Sequence, residues 1–126
     1  MLLDTHVFLW WISDSTRLSN LARETIAEER NEPIFSVVSA WEIAIKVGVG
    51  KLELPDIPEK FVTEQLSLND VEVLPMYLGH ALRVHALPDH HRDPFDRLLV
   101  AQANVEGIPL LSADHHLSQY PVEVIW

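Results

Sequence analysis

The chain has 126 residues, 48% of them hydrophobic, which fits one domain over residues 1–126 with a buried core. Its formal net charge of −10 argues against a broad basic surface for nucleic acid, but is compatible with a site that binds cations or with a basic protein partner. The chain has no cysteine, no apolar run near the ~20 residues that span a membrane and no room for a signal peptide before its first predicted strand. We therefore expect a cytoplasmic protein without disulfides or thiolate metal sites.

Short apolar runs alternate with segments of helical pattern along the whole chain. In chain order we predict a strand at 1–5, a helix at 6–13, a helix at 19–29, a strand at 33–37, a helix at 39–48, a helix at 58–66, a strand at 71–75, a helix at 77–85, a polar loop at 87–93, a helix at 94–107, a strand at 108–113, a short helix at 115–118 and a strand at 122–126. Continuous apolar strands are typical of a sheet buried on both faces. The alternation predicts an α/β fold with a mainly parallel central sheet between two helical layers.

Four acidic residues fall where such a fold binds its ligands. Asp4 and Asp114 each follow a predicted strand directly, whereas Glu42 and Asp96 fall in the first turns of two predicted helices. In open α/β sheets, ligands bind beyond the carboxyl ends of the strands. We therefore expect these four carboxylates, which come from four separate segments, to converge on one edge of the sheet.

The two acids in helices also have purely structural explanations. Ser39 and Glu42 have the spacing of a capping box, in which the serine hydroxyl and the glutamate carboxylate satisfy each other's backbone amides. Asp93 before Pro94 is a good N-cap, and Asp96 in the first turn interacts favourably with the helix dipole. These residue patterns taken one at a time leave both explanations open.

The acids that follow strands are harder to explain by structure alone. Asp114 fits the N-cap of the short helix at 115–118, but a carboxylate at Asp4 is costly at the end of a buried strand unless it is paired or bound to a ligand. Two carboxylates within about 5 Å repel each other by roughly 3 kcal/mol at an effective dielectric constant of about 20. A hard divalent cation, Mg²⁺ or Mn²⁺, is the natural compensation because it prefers oxygen ligands, and it activates water for attack on a phosphate.

The acids lie within four motifs, which are LLDTH (2–6), SAWEIAIK (39–46), RDPFDRLLVAQA (92–103) and LLSADHHL (110–117). In this order, and over nearly the whole chain, the motifs resemble a PIN-domain ribonuclease, specifically a VapC-like toxin of a type II toxin–antitoxin pair. Any one motif is weak evidence, whereas the ordered set is quite specific.

The resemblance implies a three-layer, Rossmann-like α/β/α PIN domain and a metal-dependent endoribonuclease that leaves 5′-phosphate and 3′-hydroxyl ends. It also implies a homodimer and a cognate antitoxin protein that blocks the site. The acidic quartet of the family maps to Asp4, Glu42, Asp96 and Asp114, as catalytic residues and ligands of Mg²⁺ or Mn²⁺. The alternative is a catalytically silent scaffold that binds a protein partner, against which the presence of all four acids speaks.

Other polar residues adjoin the predicted site. Thr5 and Ser112 are candidates to hold a water molecule or a phosphate oxygen, and Asp93 is expected to be the helix cap that aims the following acid. Lys46 and Arg97 are the bases nearest the site and are candidates for RNA contact. The alternative for Lys46 is an i,i+4 ion pair with the glutamate one turn earlier.

The histidines and tryptophans give weaker signals. The histidine-rich stretches DHHRD (89–93) and DHH (114–116) lack zinc-motif spacing, so solvent exposure or contact with RNA or antitoxin is favoured over structural zinc. Trp10, Trp11 and Trp41 are predicted to be core or dimer-surface residues, with stacking on a nucleobase as the alternative.

Overall fold

A computed structural model describes residues 1–89 and 93–126 of the chain. In these residues the strands are β1 (Leu2–Leu3), β2 (Ile34–Ser36), β3 (Glu72–Leu74), β4 (Leu110–Leu111) and β5 (Val124–Ile125). The α-helices are α1 (Thr5–Ile12), α2 (Asn20–Ala27), α3 (Val37–Gly48), α4 (Pro58–Leu68), α5 (Leu78–Arg83) and α6 (Pro94–Glu106). Two 3₁₀ turns, Val84–Ala86 and His115–Gln119, complete the regular structure of these residues.

The five strands form one sheet in the order β3-β2-β1-β4-β5, and every strand pairing in it is parallel. The predicted parallel α/β sheet is therefore confirmed. The chain moves outward from β1 through β2 to β3, and then returns to β4 on the other side of β1. The carboxyl ends of β1 and β4 thus flank a topological switch point, which is where open α/β sheets bind ligands.

Strands β1 and β4 are buried on both faces, since their successive side chains point to opposite sides of the sheet and each side is covered. On one face, Leu3 and Leu111 pack with buried residues of α1, α2, α3 and α4. On the other face, Leu2 and Leu110 pack with the buried residues of α6, which begin at Leu99. This alternation explains the uninterrupted apolar strands in the sequence and gives the expected three layers, with helices on each side of the sheet.

Several predicted helix ends are confirmed. Ser19 caps α2 through its hydroxyl, which accepts a hydrogen bond from the Ala22 amide, and Asp93 caps α6. Gly107 ends α6 in the left-handed region at φ 66°, where glycine has no steric penalty. No α-helix in the described part of the chain has the length and apolar character needed to cross a membrane.

The start of α3 differs from the prediction. The helix begins at Val37 with Ser36 as its N-cap, whose hydroxyl accepts a hydrogen bond from the Val38 amide. The predicted capping box of Ser39 and Glu42 is therefore wrong, and Glu42 lies in the second turn rather than the first. Valine favours strands by local propensity, but the side-chain cap at the end of β2 starts the helix two residues earlier.

The core makes a direct prediction about stability. Phe8 in α1 is fully buried, and the centroid of its ring lies 4.5 Å from the ring centroid of Phe35 in β2. We expect Phe8→Ala to lower the free energy of unfolding by about 3–5 kcal/mol, because it leaves a cavity between helix and sheet. Chemical denaturation measures this loss. As a control, the exposed Leu82→Ala should stay within about 0.5 kcal/mol of wild type, and equal losses in both variants would contradict this packing.

Candidate metal centre and active site

Asp4 is the first acid of the site and lies at the carboxyl end of the central strand β1. Asp4 is only 5% exposed. Its carboxylate also caps α1 by accepting a hydrogen bond from the His6 amide at 3.2 Å. The hydroxyl of Ser112, which follows β4, donates to the other carboxylate oxygen at 2.6 Å. This hydrogen bond joins the two strand ends at the switch point. Burial raises the pKa of Asp4 above its ordinary value, while these two hydrogen bonds act in the opposite direction.

Glu42 in α3 is the second acid and is almost completely buried. Its Oε2 atom accepts a hydrogen bond from the Lys46 ammonium, one helical turn later, at 2.5 Å. The predicted i,i+4 pair is therefore present. Partial burial lowers the pKa of Lys46, but the hydrogen bond and charge of Glu42, together with the charges of Asp93 and Asp96, outweigh it and the pKa is raised. Lys46 stays an ammonium ion on the rim of the acidic group.

Asp96 in the first turn of α6 is the third acid. Asp93 accepts hydrogen bonds from the backbone amides of Phe95 and Asp96, at 2.9 and 3.2 Å, and thus fixes the helix start that carries Asp96. The pKa of Asp96 is raised from 3.8 to about 8. The largest cause is burial, and the charges of Asp4, Asp93, Glu42 and Asp114 raise the pKa further. The fold thus brings the other three sequence-predicted acids within electrostatic reach of Asp96.

Asp114 has the structural role that the sequence left open. It caps the 3₁₀ turn at His115–Gln119, and its Oδ1 atom accepts from the His116 amide and lies 3.0 Å from Nδ1 of that histidine. The side chains of Asp114, His115 and His116 offer ligand atoms within 4.8 Å of one another, whereas Asp4, Glu42 and Asp96 do not meet this spacing in the residues described. Asp114 therefore belongs partly to an exposed group with two histidines.

The donor set of the more buried acids fits a hard divalent cation. Asp4, Glu42 and Asp96 offer carboxylate oxygens, the ligands that Mg²⁺ and Mn²⁺ prefer. Because Mg²⁺ usually keeps several of its waters, not every carboxylate of the set needs to contact the ion directly. These three residues, with Asp114 beside them, would hold the ion.

Hydrogen bonds behind the acids fix the helices that carry them. The Thr5 hydroxyl, next to Asp4, donates to the Ser39 hydroxyl in α3 at 2.8 Å. Thr5 and Ser112, which the sequence suggested as ligands for water or phosphate, thus have protein partners and hold the first acid and α3 in register. Ser39 had been interpreted only as a helix cap, and its true partner is set by how α1 packs on α3.

A buried polar network centred on Gln102 in α6 was not predicted from the sequence. The Ser36 hydroxyl, at the start of α3, donates to the Gln102 side-chain oxygen. The Gln102 amide donates to the Pro75 carbonyl at 3.2 Å and lies 3.3 Å from Nδ1 of the buried His80. The network joins the helices that carry Glu42 and Asp96. A signal was present, since Gln102 is the polar residue inside the apolar run LLVAQA.

Arg97 and Trp41 occupy different positions relative to the site. The Arg97 guanidinium donates to the carbonyls of Pro88 and Val84 and to the Tyr120 hydroxyl, so it fastens a loop to α6. Its predicted contact with RNA gains no support from these bonds.

Trp41 is 53% exposed beside Glu42, with its ring edge-on to Phe95, whereas Trp10 and Trp11 pack against the core as predicted. The histidine-rich stretch at 90–92 lies outside the described residues.

Comparison with known proteins identifies the class to which this fold and acidic edge belong. The PIN-domain family model matches residues 1–123, and the chain therefore belongs to the PIN-domain family. Within that family it is VapC-like. Ribonuclease VapC22 from Mycobacterium tuberculosis (strain ATCC 25618 / H37Rv) is 32% identical over 123 residues, which cover 95% of this chain and 91% of that protein.

Solved structures of VapBC and FitAcB proteins share the fold. One such structure is VapBC2 from Rickettsia felis, bound to a DNA fragment from its promoter. It has a TM-score of 0.73 at 14% identity, and the match covers 98% of this chain and 96% of that chain. DNA-bound VapBC from Salmonella typhimurium has a TM-score of 0.70 at 16% identity, covering 98% and 95%. FitAcB from Neisseria gonorrhoeae has a TM-score of 0.69 at 16% identity, covering 99% and 96%. At these identities the likeness establishes the architecture.

The raised pKa of Asp96 makes stability depend on pH in metal-free buffer. A carboxyl group whose pKa is higher in the folded than in the unfolded protein stabilises the fold at low pH. For Asp96 this contribution is complete below the unfolded pKa of 3.8 and is lost as the pH rises through the folded pKa of about 8. Asp96→Asn removes this ionisation. The melting temperature of the variant should therefore exceed that of wild type by on the order of 5 °C at about pH 9, and the gap should shrink as the pH falls and close near about pH 4.

Thermal melts in a chelating buffer over this pH range measure the gap. The exposed Asp56→Asn is the matched control, and its difference from wild type should not grow with pH in this window. A gap for Asp96→Asn that is constant or that narrows with rising pH would contradict the proposed crowding of charges around Asp96.

Proposed function

We propose that this chain is a Mg²⁺- or Mn²⁺-dependent endoribonuclease that hydrolyses RNA phosphodiester bonds as the toxin of a type II toxin–antitoxin pair. The observation that carries the proposal is that the charges of Asp4, Glu42 and Asp114 all act on Asp96, in a PIN domain whose sheet has its switch point beside Asp4. The 32% identity to a protein named as a ribonuclease supports the same activity. A divalent cation is proposed because the carboxylates would otherwise repel each other in a buried crevice with nothing to offset their charge. RNA is proposed as the substrate because the similar protein is named as a ribonuclease.

The roles follow from the position of each side chain. Asp4, Glu42 and Asp96 would hold the ion, and Asp114 would support it from the rim. A bound ion supplies Lewis-acid chemistry, since it lowers the pKa of water and offsets the charge that grows on the phosphate. The protein contributes by holding the ligands in place. The Ser112 hydroxyl donates a hydrogen bond to one oxygen of Asp4 and so fixes the orientation of that carboxylate.

The burial of Asp4 and Glu42 favours an enzyme over a catalytically silent scaffold. A scaffold for a protein partner needs no buried carboxylates, and replacing them with neutral residues would remove both desolvation and repulsion. The site instead keeps Asp4 and Asp96, whose pKa values are raised by burial and by neighbouring carboxylates, as is common where residues act in chemistry.

A protein antitoxin and a second copy of the chain are the proposed macromolecular partners. The structural relatives named above include toxin–antitoxin complexes, which supports an antitoxin for this chain. Homodimer formation stays a prediction from the resemblance, and the exposed apolar side chains of Leu78 and Leu82 on α5 are compatible with it. Light scattering of the purified chain tests the homodimer, and finding and coexpressing a small protein encoded beside this chain would test the antitoxin.

Cleavage of RNA tests the activity. Purified protein incubated with structured RNAs and Mn²⁺ should produce fragments that carry 5′-phosphate ends, and a chelator should abolish them. Asp4→Asn, Glu42→Gln and Asp96→Asn should each lower the rate by about 100-fold or more, because each removes a charged ligand from the ion. End-labelled RNA resolved on sequencing gels measures both the rate and the end chemistry.

The exposed Glu64→Gln in α4 is the matched control for the glutamate variant and should cleave like wild type. Undiminished cleavage in Asp4→Asn and Asp96→Asn would place the activity elsewhere or in a contaminant. No cleavage of any RNA, together with no stabilisation of the protein by Mn²⁺, would favour the scaffold.

A further inference from the structure

The Lys46 ammonium already neutralises one of the acids proposed to bind metal. It lies 2.5 Å from Oε2 of Glu42, in a pair whose carboxylate side chain is 4% exposed and whose lysine side chain is 33% exposed. The charges of Asp93 and Asp96 also act on Lys46, so the ammonium faces the acidic group rather than open solvent alone. A carboxylate oxygen engaged in this way is not fully available to a metal ion.

The two side chains differ in how freely they move. Glu42 is held in the buried second turn of α3, next to the Ser39 hydroxyl contact with Thr5. Lys46 has a four-carbon stem, partial exposure and three rotatable donors, so its ammonium moves several ångströms at small cost. When a divalent ion takes the Glu42 oxygen, the like charge of the ion repels Lys46, and the ammonium is the partner that leaves.

We propose that Lys46 is an exchangeable counter-ion: it occupies the Glu42 oxygen in the absence of metal and moves to a phosphate oxygen of the substrate when a divalent ion binds. The inference rests on the proposed nuclease function and deepens it. The ammonium is tethered one turn beyond a metal ligand, so the phosphate it reaches is one next to the ion. Binding of metal and binding of the phosphate therefore favour each other, because the ion releases the group that the phosphate needs.

The exchange explains how a chain with net charge −10 contacts an anionic polymer at this place. With metal absent, Lys46 is paired and the crevice repels phosphate. With metal present, the ion and the released ammonium offset most of the negative charge of the same crevice and offer the phosphate two cationic contacts. An ordinary i,i+4 pair that only stiffens α3 predicts none of this dependence on metal.

The test begins with Mn²⁺ alone, measured by thermal melts of the full chain without RNA. Lys46→Met removes the competing ammonium, so the Mn²⁺ concentration for half-maximal stabilisation should fall by about threefold to fivefold, the strength of a partly exposed ion pair. Lys46→Arg replaces the ammonium with a guanidinium that holds carboxylate in a bidentate way, so the same concentration should rise.

Lys60→Met is the matched control. Lys60 forms an i,i+4 pair with Asp56, at 3.2 Å, outside the proposed site, and its loss should leave the Mn²⁺ dependence unchanged. If Lys46→Met does not fold because Glu42 loses its partner, Lys46→Arg carries the test, since it keeps the charge.

Adenosine 5′-monophosphate is the probe for the second half of the exchange, because it carries the 5′-phosphate expected on a product. It should stabilise wild type in saturating Mn²⁺ but not in a chelating buffer. Lys46→Met should need about fivefold more of this nucleotide for the same effect in Mn²⁺, because it lacks the charge that contacts the phosphate.

The outcomes separate the inference from the proposed function. If Mn²⁺ does not stabilise wild type, the metal-dependent function itself fails. If Mn²⁺ stabilises wild type but its half-maximal concentration is unchanged or higher in Lys46→Met, the ammonium does not compete and the exchange is wrong. Equal dependence of wild type and Lys46→Met on the nucleotide also overturns it, whereas the two shifts together, absent in Lys60→Met, support it.

Discussion

The electrostatic cost of carboxylates in a buried crevice is the constraint on which the rest of this structure depends. Asp4 directly follows the central strand and is only 5% exposed, and Glu42 and Asp96 approach the same edge of the sheet from two helices. Desolvation and mutual repulsion both disfavour their ionised forms, and the pKa of Asp96 rises to about 8 in consequence. A cation resolves both costs at once, which is why the arrangement points to metal chemistry.

Two apolar cores make it possible to hold such acids in place. Adjacent leucines in β1 and again in β4 point to opposite helical layers, so the sheet edge that bears Asp4 is fixed from both sides. Ser36 and Gln102 then join the start of α3 to α6 across the sheet end. Because of these contacts, the acidic side chains have little freedom to move apart. The folded protein therefore cannot relieve the repulsion between them by a change of shape.

The overall negative charge and the proposed RNA substrate are reconciled by local charge. The site places the Lys46 ammonium on Glu42, whereas Arg97 is used to fasten a loop through Val84 and Pro88. Steering by a broad basic surface is therefore replaced by a small number of charges next to the chemistry. Selectivity for a particular folded RNA would follow from so few contacts, since little of the affinity is independent of sequence and shape.

The sequence by itself determined the alternation of strands and helices, the parallel sheet and the edge that collects the acids. It did so because apolar runs, helix caps such as Asp93 and strand-end residues such as Asp4 act over a few neighbouring positions. Only the tertiary structure decided that α3 starts at Val37 with Ser36 as its cap, that Ser39 meets Thr5, that Arg97 donates to the carbonyls of Pro88 and Val84, and that Gln102 connects two helices. Those outcomes depend on which side chains meet across packed elements, and residues far apart in sequence carry no local signal of that meeting.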